Sequence, residues 1–325
     1  MAGVQGDAML AEKLVERLGS RVAAVATITP TGTSVASVGA PLDADFEIGS
    51  ISKGVTGLLY ADAVERREIT PATTLGDLLP LDSPAAGATL SDVSTHRSGL
   101  PSLPVPSLRK SLALWLRGTN PYGETLDELL AQTRAVRLGP PRPRYSNLGF
   151  QLLGHALAAA AGTTFQALLD TRITTPLGLT AYAPATPSDL RPGALTGRTR
   201  WGRSRQPWTG EALAPAGGIR ATITDLARLT EALLNGTAPG TAALDPVADF
   251  TGTVVRIGAA WITLDRRGRT ITWHNGGTGG FRTWLGLDRD AGTAVVLLSA
   301  TAVSVDQHGF TLLSEITEDQ ARRLR

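Results

Sequence analysis

The sequence predicts an α/β (α+β) fold, in which one antiparallel sheet built from both termini is flanked by helices and carries an inserted, mainly helical lobe. Strand patterns near the N-terminus, helical periodicity through the middle and further strand patterns near the C-terminus lead to that expectation. The expected boundaries are residues 1–60 and 200–325 for the sheet lobe and 61–199 for the helical lobe, with the active site between them. A chain of 325 residues, 42% of them hydrophobic, is long enough to bury such a core as one large domain or two packed lobes.

The elements follow in order. An amphipathic helix covers roughly Asp7 to Leu18. "VAAVATITP" and "TSVASVGA" read as two strands joined by a Pro-Thr-Gly turn. "DFEIGS" then leads into "SKGVTGLLYADAVER", where Val55, Leu58, Leu59 and Ala63 recur at helical spacing, so a helix begins at or just after Ser50. Helical patterns such as "TLDELLAQTRAV" and "LGFQLLGHALAAAAG" dominate to about Pro184, broken by the proline-rich loops "LPSLPVPS" and "LGPPRPR". A loop with exposed tryptophans and arginines, "GRTRWGRSRQPW", precedes a helix for which Thr224 fits as N-cap and Gly236 as the residue past the end. Three strand candidates follow, "VVRIGAAWITLD", "RTWLGLDRD" and "GTAVVLLSAT", and then a charged helix, "SEITEDQARRLR".

Composition excludes several classes of function. The net charge is only +2 and the basic residues are scattered, so no stripe exists to track a nucleic-acid backbone. Without cysteine there is no disulfide, thiol nucleophile or thiolate metal site, and neither His-Glu-x-x-His nor similar spacing implies a metal. No cofactor is expected. No uninterrupted apolar run approaches the ~18 residues that suggest a membrane span. The N-terminal stretch lacks the apolar core of a signal peptide, which predicts a cytoplasmic protein as the chain stands, or an exported one if a leader is removed.

Three segments could carry chemistry. Lysine occurs only at Lys13, Lys53 and Lys110, and arginine makes a poor general base near neutral pH, so Lys53 is conspicuous. Ser50 and Lys53 stand three apart at a helix start, with their side chains on one face. A serine hydroxyl needs a neighbouring base to become a nucleophile, and a shielded lysine at the positive end of a helix dipole is pushed toward the neutral form that can serve. The plainer alternative makes Ser50 an N-cap and Lys53 a surface residue. In "PRYSNLGF", Tyr145 and Asn147 are two apart in an extended segment and can face one cleft, or Asn147 caps the following helix and Tyr145 merely packs. In "WHNGGTGGFRTWLGLD", His274 precedes a glycine cluster whose backbone can approach a ligand closely. The alternative there is a tight hairpin with His274 on the sheet surface. His96, His155 and His308 are read as structural or exposed, and Arg282 as an exposed strand residue that could instead recognise a carboxylate.

Taken together and in order, "FEIGSISK", "YSN" and "HNG" resemble the Ser-x-x-Lys, Tyr-x-Asn and Lys-Thr-Gly-like elements of the serine β-lactamase and penicillin-binding protein family, in its class C-like branch. "STHRSGLPSLP" and "PAGGIRATITDLARL" are similar to further segments of that branch, so the likeness spans almost the whole chain. The resemblance implies a cofactor-free serine hydrolase acting on a small-molecule or peptide acyl substrate: Ser50 as nucleophile, Lys53 as its proton acceptor, and Tyr145 as proton shuttle to the leaving group. It further implies Asn147 orienting Lys53 and substrate, His274 in place of the third-motif lysine, and the backbone N–H groups of Ser50 and Gly277 as oxyanion hole. Asn275, Gly276 and Thr278 would bind substrate. Histidine at the third motif is common among the family's esterases, peptidases and transacylases. A transacylase that passes the acyl group to an amine or alcohol, and a non-catalytic sensor of peptidoglycan-like ligands, are the competing expectations. Specificity would reside in the helical lobe and in the loops Pro101 to Pro106 and Trp201 to Trp208.

Overall fold

The computed structural model describes residues 3–19, 21–103, 125–266 and 268–323. Pro104 to Pro106 of the first specificity loop, and Lys110, lie outside the described residues. The N-terminal part supplies strands β1 (Val4–Gly6), β2 (Ala23–Thr29) and β3 (Gly32–Val38). The C-terminal part supplies β6 (Ala248–Thr251), β7 (Val255–Ile257), β8 (Ile262–Arg266), β9 (Arg269–Gly277), β10 (Arg282–Asp288) and β11 (Thr293–Ser299). These nine form one antiparallel sheet in the order β1, β3, β2, β11, β10, β9, β8, β7, β6. A small second ladder pairs β4 (Phe46–Glu47) with β5 (Arg220–Ala221).

The central strands are buried on both faces, which explains their nearly continuous apolar runs. On one face Ala23, Val25, Val295 and Leu297 pack with helix α1 (Ala8–Leu18) and the C-terminal helix Asp306–Arg323. On the other, Ala24, Ala26, Ile28, Val296 and Leu298 pack into the main core, which also holds helix α2 (Ile51–Glu65) and most of the remaining helices. Alternation of side chains across the pleat sorts these two sets without any change of composition.

Helices α3 (Leu75–Leu78), α4 (Leu90–Ser94), α5 (Leu126–Thr133), α6 (Asn147–Ala160) and α7 (Phe165–Leu169) occupy the middle of the chain, and α8 (Ile223–Leu234) follows β5. The C-terminal helix is α9. Among the described residues no single helix is long and apolar enough to cross a membrane.

Several sequence expectations are corrected. "VVRIGAAWITLD" is two strands, β7 and β8, because the backbone turns between them with Ala260 at φ 69° and inserts the fully buried Trp261 into the core. Strand β9, absent from the strand candidates, runs through His274, where a tight hairpin was the alternative considered, since both its edges find partners in β8 and β10. The cap of α8 is Thr222, not Thr224: its hydroxyl accepts the Asp225 N–H at 3.0 Å while Asp225 reaches back to the Thr222 N–H at 2.9 Å. Helix α9 starts at Asp306, well before the expected Ser314.

Candidate active site

The site begins at the turn between β4 and α2. Gly49 sits at φ 54°, and a Cβ built there would lie 2.5 Å from the Gly277 backbone nitrogen, so a glycine is what lets the end of β9 close onto this turn. Ser50 follows in the N-cap position, yet its side chain makes no capping bond. Its Oγ instead accepts a hydrogen bond from Lys53 Nζ at 3.0 Å. Ser52, two residues on, is fully buried and accepts the Ile219 N–H at 3.2 Å, a purely structural role.

Helix α2 is apolar on every side and almost wholly buried, so Lys53 enters the interior with it and has no exposed surface. Its ammonium donates to Ser50 Oγ and to the Ala216 carbonyl, and lies 5.0 Å from the centroid of the Tyr145 ring. The Ala214–Gly218 turn that supplies this carbonyl is tied to the same helix by Thr56 Oγ1, which donates to Pro215 O at 2.7 Å. Among the described residues no ion pair involves Lys53, and burial pushes its pKa down to about 7.

Tyr145 and Asn147 are half-buried at the start of α6. The cap of that helix is Ser146, whose Oγ accepts the Gly149 N–H at 2.8 Å, which leaves Asn147 in the first turn and not in the capping role considered from sequence. His274 is 1% exposed and so is not on the sheet surface. Its Nδ1 donates to the Asn275 carbonyl at 2.7 Å, which leaves Nε2 as a bare acceptor with no hydrogen-bond partner among the described residues. Burial, reinforced by the nearby Lys53 charge, pushes its pKa down to about 4, so the imidazole is neutral. A neutral acceptor therefore occupies the place where a third-motif lysine would bring charge.

A cavity of about 680 Å³ opens from Ser50. Asn275, Gly276, Gly277 and Thr278 line one wall. Asn275 Nδ2 donates to Asp306 Oδ2 at 2.9 Å. Arg282 also lines this cavity and is not an exposed strand residue; its guanidinium donates to the carbonyls of Thr278 and Phe281 at 2.7 Å each. Arg200 and Arg205 contribute two more guanidinium groups, and Trp201, 74% exposed, stands at the cavity with Arg200 stacked 4.3 Å from its ring.

Beneath the turn lies a charged cluster that the sequence did not suggest. Arg220, with no exposed surface, bonds Asp45 at 2.8 Å and Glu47 at 3.2 Å, while Glu47 accepts the Trp208 N–H at 2.8 Å. Burial raises the Glu47 pKa despite the opposing effect of Arg220. His96, the other functional candidate missed from sequence, is buried beside Tyr145 with ring centroids 4.5 Å apart.

The chain is similar to known proteins in sequence and in fold. The beta-lactamase family profile matches residues 11–315. Among curated relatives, the unguisins hydrolase of Aspergillus campestris is 27% identical over 71% of this chain and 46% of its own length. The D-alanyl-D-alanine-carboxypeptidase/endopeptidase AmpH of Escherichia coli is 28% identical over 64% of this chain and 58% of its own. The chain thus spans about half the length of the curated relatives it matches. The crystal structure of a class C beta-lactamase from Rhodobacter sphaeroides superposes with a TM-score of 0.74 at 22% identity, covering 91% of this chain and 94% of that one. From the extent of the family match and the shared fold, the chain belongs to the beta-lactamase family, within the superfamily of serine β-lactamases and penicillin-binding proteins.

Proposed function

We propose that this chain is a serine hydrolase that forms an acyl-enzyme at Ser50 from an ester, peptide or lactam and releases the acyl group to water. The supporting observation is a lysine amine with a pKa near 7, held 3.0 Å from a serine hydroxyl that caps nothing. In the neutral form, Lys53 takes the Ser50 proton as Oγ attacks the carbonyl. The backbone N–H groups of Ser50 and Gly277 receive the developing oxyanion, and Tyr145 returns a proton to the leaving group. Asn147 orients Lys53 and the substrate amide. The acyl-enzyme is then hydrolysed by the same steps in reverse order, with water in place of the leaving group.

A pH profile follows directly. Only unprotonated Lys53 is a base, so kcat/KM is expected to climb as pH rises through about 7 and then level off. A climb continuing toward pH 10, where an ordinary lysine titrates, would contradict this assignment.

Substrate class is tested with p-nitrophenyl esters, D-amino-acid amides and a chromogenic cephalosporin, each assayed against wild type and Ser50→Ala. Three arginines and one carboxylate, Asp306, line the cavity, so donors carrying a carboxylate on the acyl side are expected to show a lower KM than their neutral analogues. Added amines or alcohols that divert the product would move the assignment from hydrolysis to acyl transfer. No turnover of any donor, with wild type and Ser50→Ala alike, would sink it.

A further inference from the structure

We propose that His96 is a positioning residue for Tyr145, holding the tyrosine in place through an unprotonated Nδ1. This rests on the function proposed above. His96 lies far from Tyr145 in sequence but grips both of its neighbours: the His96 carbonyl accepts the Arg144 N–H at 2.9 Å, and the His96 ring Nδ1 accepts the Ser146 N–H at 3.2 Å. Tyr145 is therefore bracketed on each side along the backbone. The imidazole also packs against its ring, centroids 4.5 Å apart, and Phe150 backs the imidazole at 4.8 Å.

Two further features mark the residue. Its backbone sits at φ 58°, a left-handed conformation that non-glycine residues adopt at an energetic cost and that tends to persist where surrounding structure enforces it. Its Nδ1 accepts, so the ring is the Nε2–H tautomer, and that buried Nε2 has no hydrogen-bond partner among the described residues. Burial is the main cause that keeps it neutral, and any charge on Lys53 or His274, the titratable groups that act on it, would push the same way. A protonated His96 would lose the bond to Ser146 and with it one of the two backbone ties that bracket Tyr145. The geometry thus couples one histidine tautomer to the placement of the proposed proton donor.

If Tyr145 protonates the leaving group, its misplacement slows acylation by esters with poor leaving groups more than by esters with good ones. An alkoxide must be protonated as it departs, whereas p-nitrophenolate leaves unaided. His96→Leu removes the acceptor. His96→Asn keeps an acceptor near the Nδ1 position and tolerates the left-handed backbone. On an alkyl ester, kcat/KM for His96→Leu is expected to fall about tenfold or more, short of the ~10²–10⁴-fold of a fully lost proton-transfer contribution because Tyr145 is displaced and not removed. On the matching p-nitrophenyl ester the fall is expected to be only a few-fold, and His96→Asn is expected to recover most of the loss on both.

Equal losses on the two esters in His96→Leu, or an unchanged alkyl-ester rate in the folded variant, would overturn the proposal. Should His96→Leu fail to fold, the 15N spectrum of histidine-labelled wild-type protein decides. A neutral, Nε2-protonated His96 across the active pH range supports the proposal, and an Nδ1-protonated or titrating ring overturns it. Failure of the underlying function looks different, because wild type itself would then form no adduct at Ser50.

Discussion

Replacing Lys53 with methionine is expected to lower kcat/KM by about 10²–10⁴-fold, the usual range for a lost general base, while leaving the fold intact. Methionine matches the length of the lysine stem and suits a wholly apolar site. The variant loses the bond to the Ala216 carbonyl but no longer buries an ionisable amine that lacks a carboxylate partner. The two effects oppose each other, and their balance depends on pH. Lys53 titrates near 7 in the folded chain and near its ordinary 10.5 when unfolded. Between these values the unfolded chain binds more protons, so wild-type stability rises with pH across that window, and below about 7 the full burial penalty applies. Thermal melts should therefore favour Lys53→Met over wild type more at pH 6 than at pH 10. The opposite trend would mean that Lys53 is not depressed in the folded protein.

Replacing Arg220 with methionine is expected to produce the largest loss of stability, roughly 3–5 kcal/mol, the range for breaking a buried ion pair from one side. Asp45 and Glu47 would be left facing each other in the interior without a counter-charge. Tyr182 would still donate to Asp45 at 2.6 Å and the Trp208 N–H to Glu47, which offsets part of the loss. Protonating the stranded Glu47, whose pKa burial already raises, relieves the repulsion, so the deficit measured by denaturant unfolding should shrink as pH falls toward 5 and grow toward pH 8. A pH-independent deficit below about 1 kcal/mol would show that the cluster is replaceable by packing, as some buried ion pairs are. Activity should fall as well, since Glu47 lies three residues before Ser50 and also anchors Trp208 beside the cavity.

The fold was largely legible because its signals are local. The strand-like runs of β2 and β3 around a Pro-Thr-Gly turn, and the 3.6-residue spacing in α2, needed no partner to be recognised. What failed depended on distant partners. Strand β9 contains a glycine pair and a histidine, and becomes a strand because β8 and β10 flank it. Arg220 carries no signal of its own in the sequence, and gains its place only because β5 pairs with β4 and carries it over Asp45 and Glu47.

The candidate site divides in the same way. Ser50 and Lys53 share one helical turn, so their proximity follows from spacing alone. Whether Lys53 is buried does not, and burial is what sets its pKa. His274 could be picked out from its motif, yet its neutral state and its donation to Asn275 depend on the sheet around it. His96 lies in "STHRSGLPSLP", one of the segments similar to the family, but its contact with the Tyr145 segment could not be read there, because its bond to Ser146 joins residues 50 apart in the chain.

The most direct test of an acyl-enzyme at Ser50 is intact-mass spectrometry after exposure to a fluorophosphonate or a penicillin. One adduct per chain is expected in wild type and in Ser52→Ala, since Ser52 Oγ is buried and engaged with Ile219, and none in Ser50→Ala. An adduct that survives Ser50→Ala, or a wild-type chain that no acylating reagent modifies, would contradict the assignment of Ser50 as nucleophile.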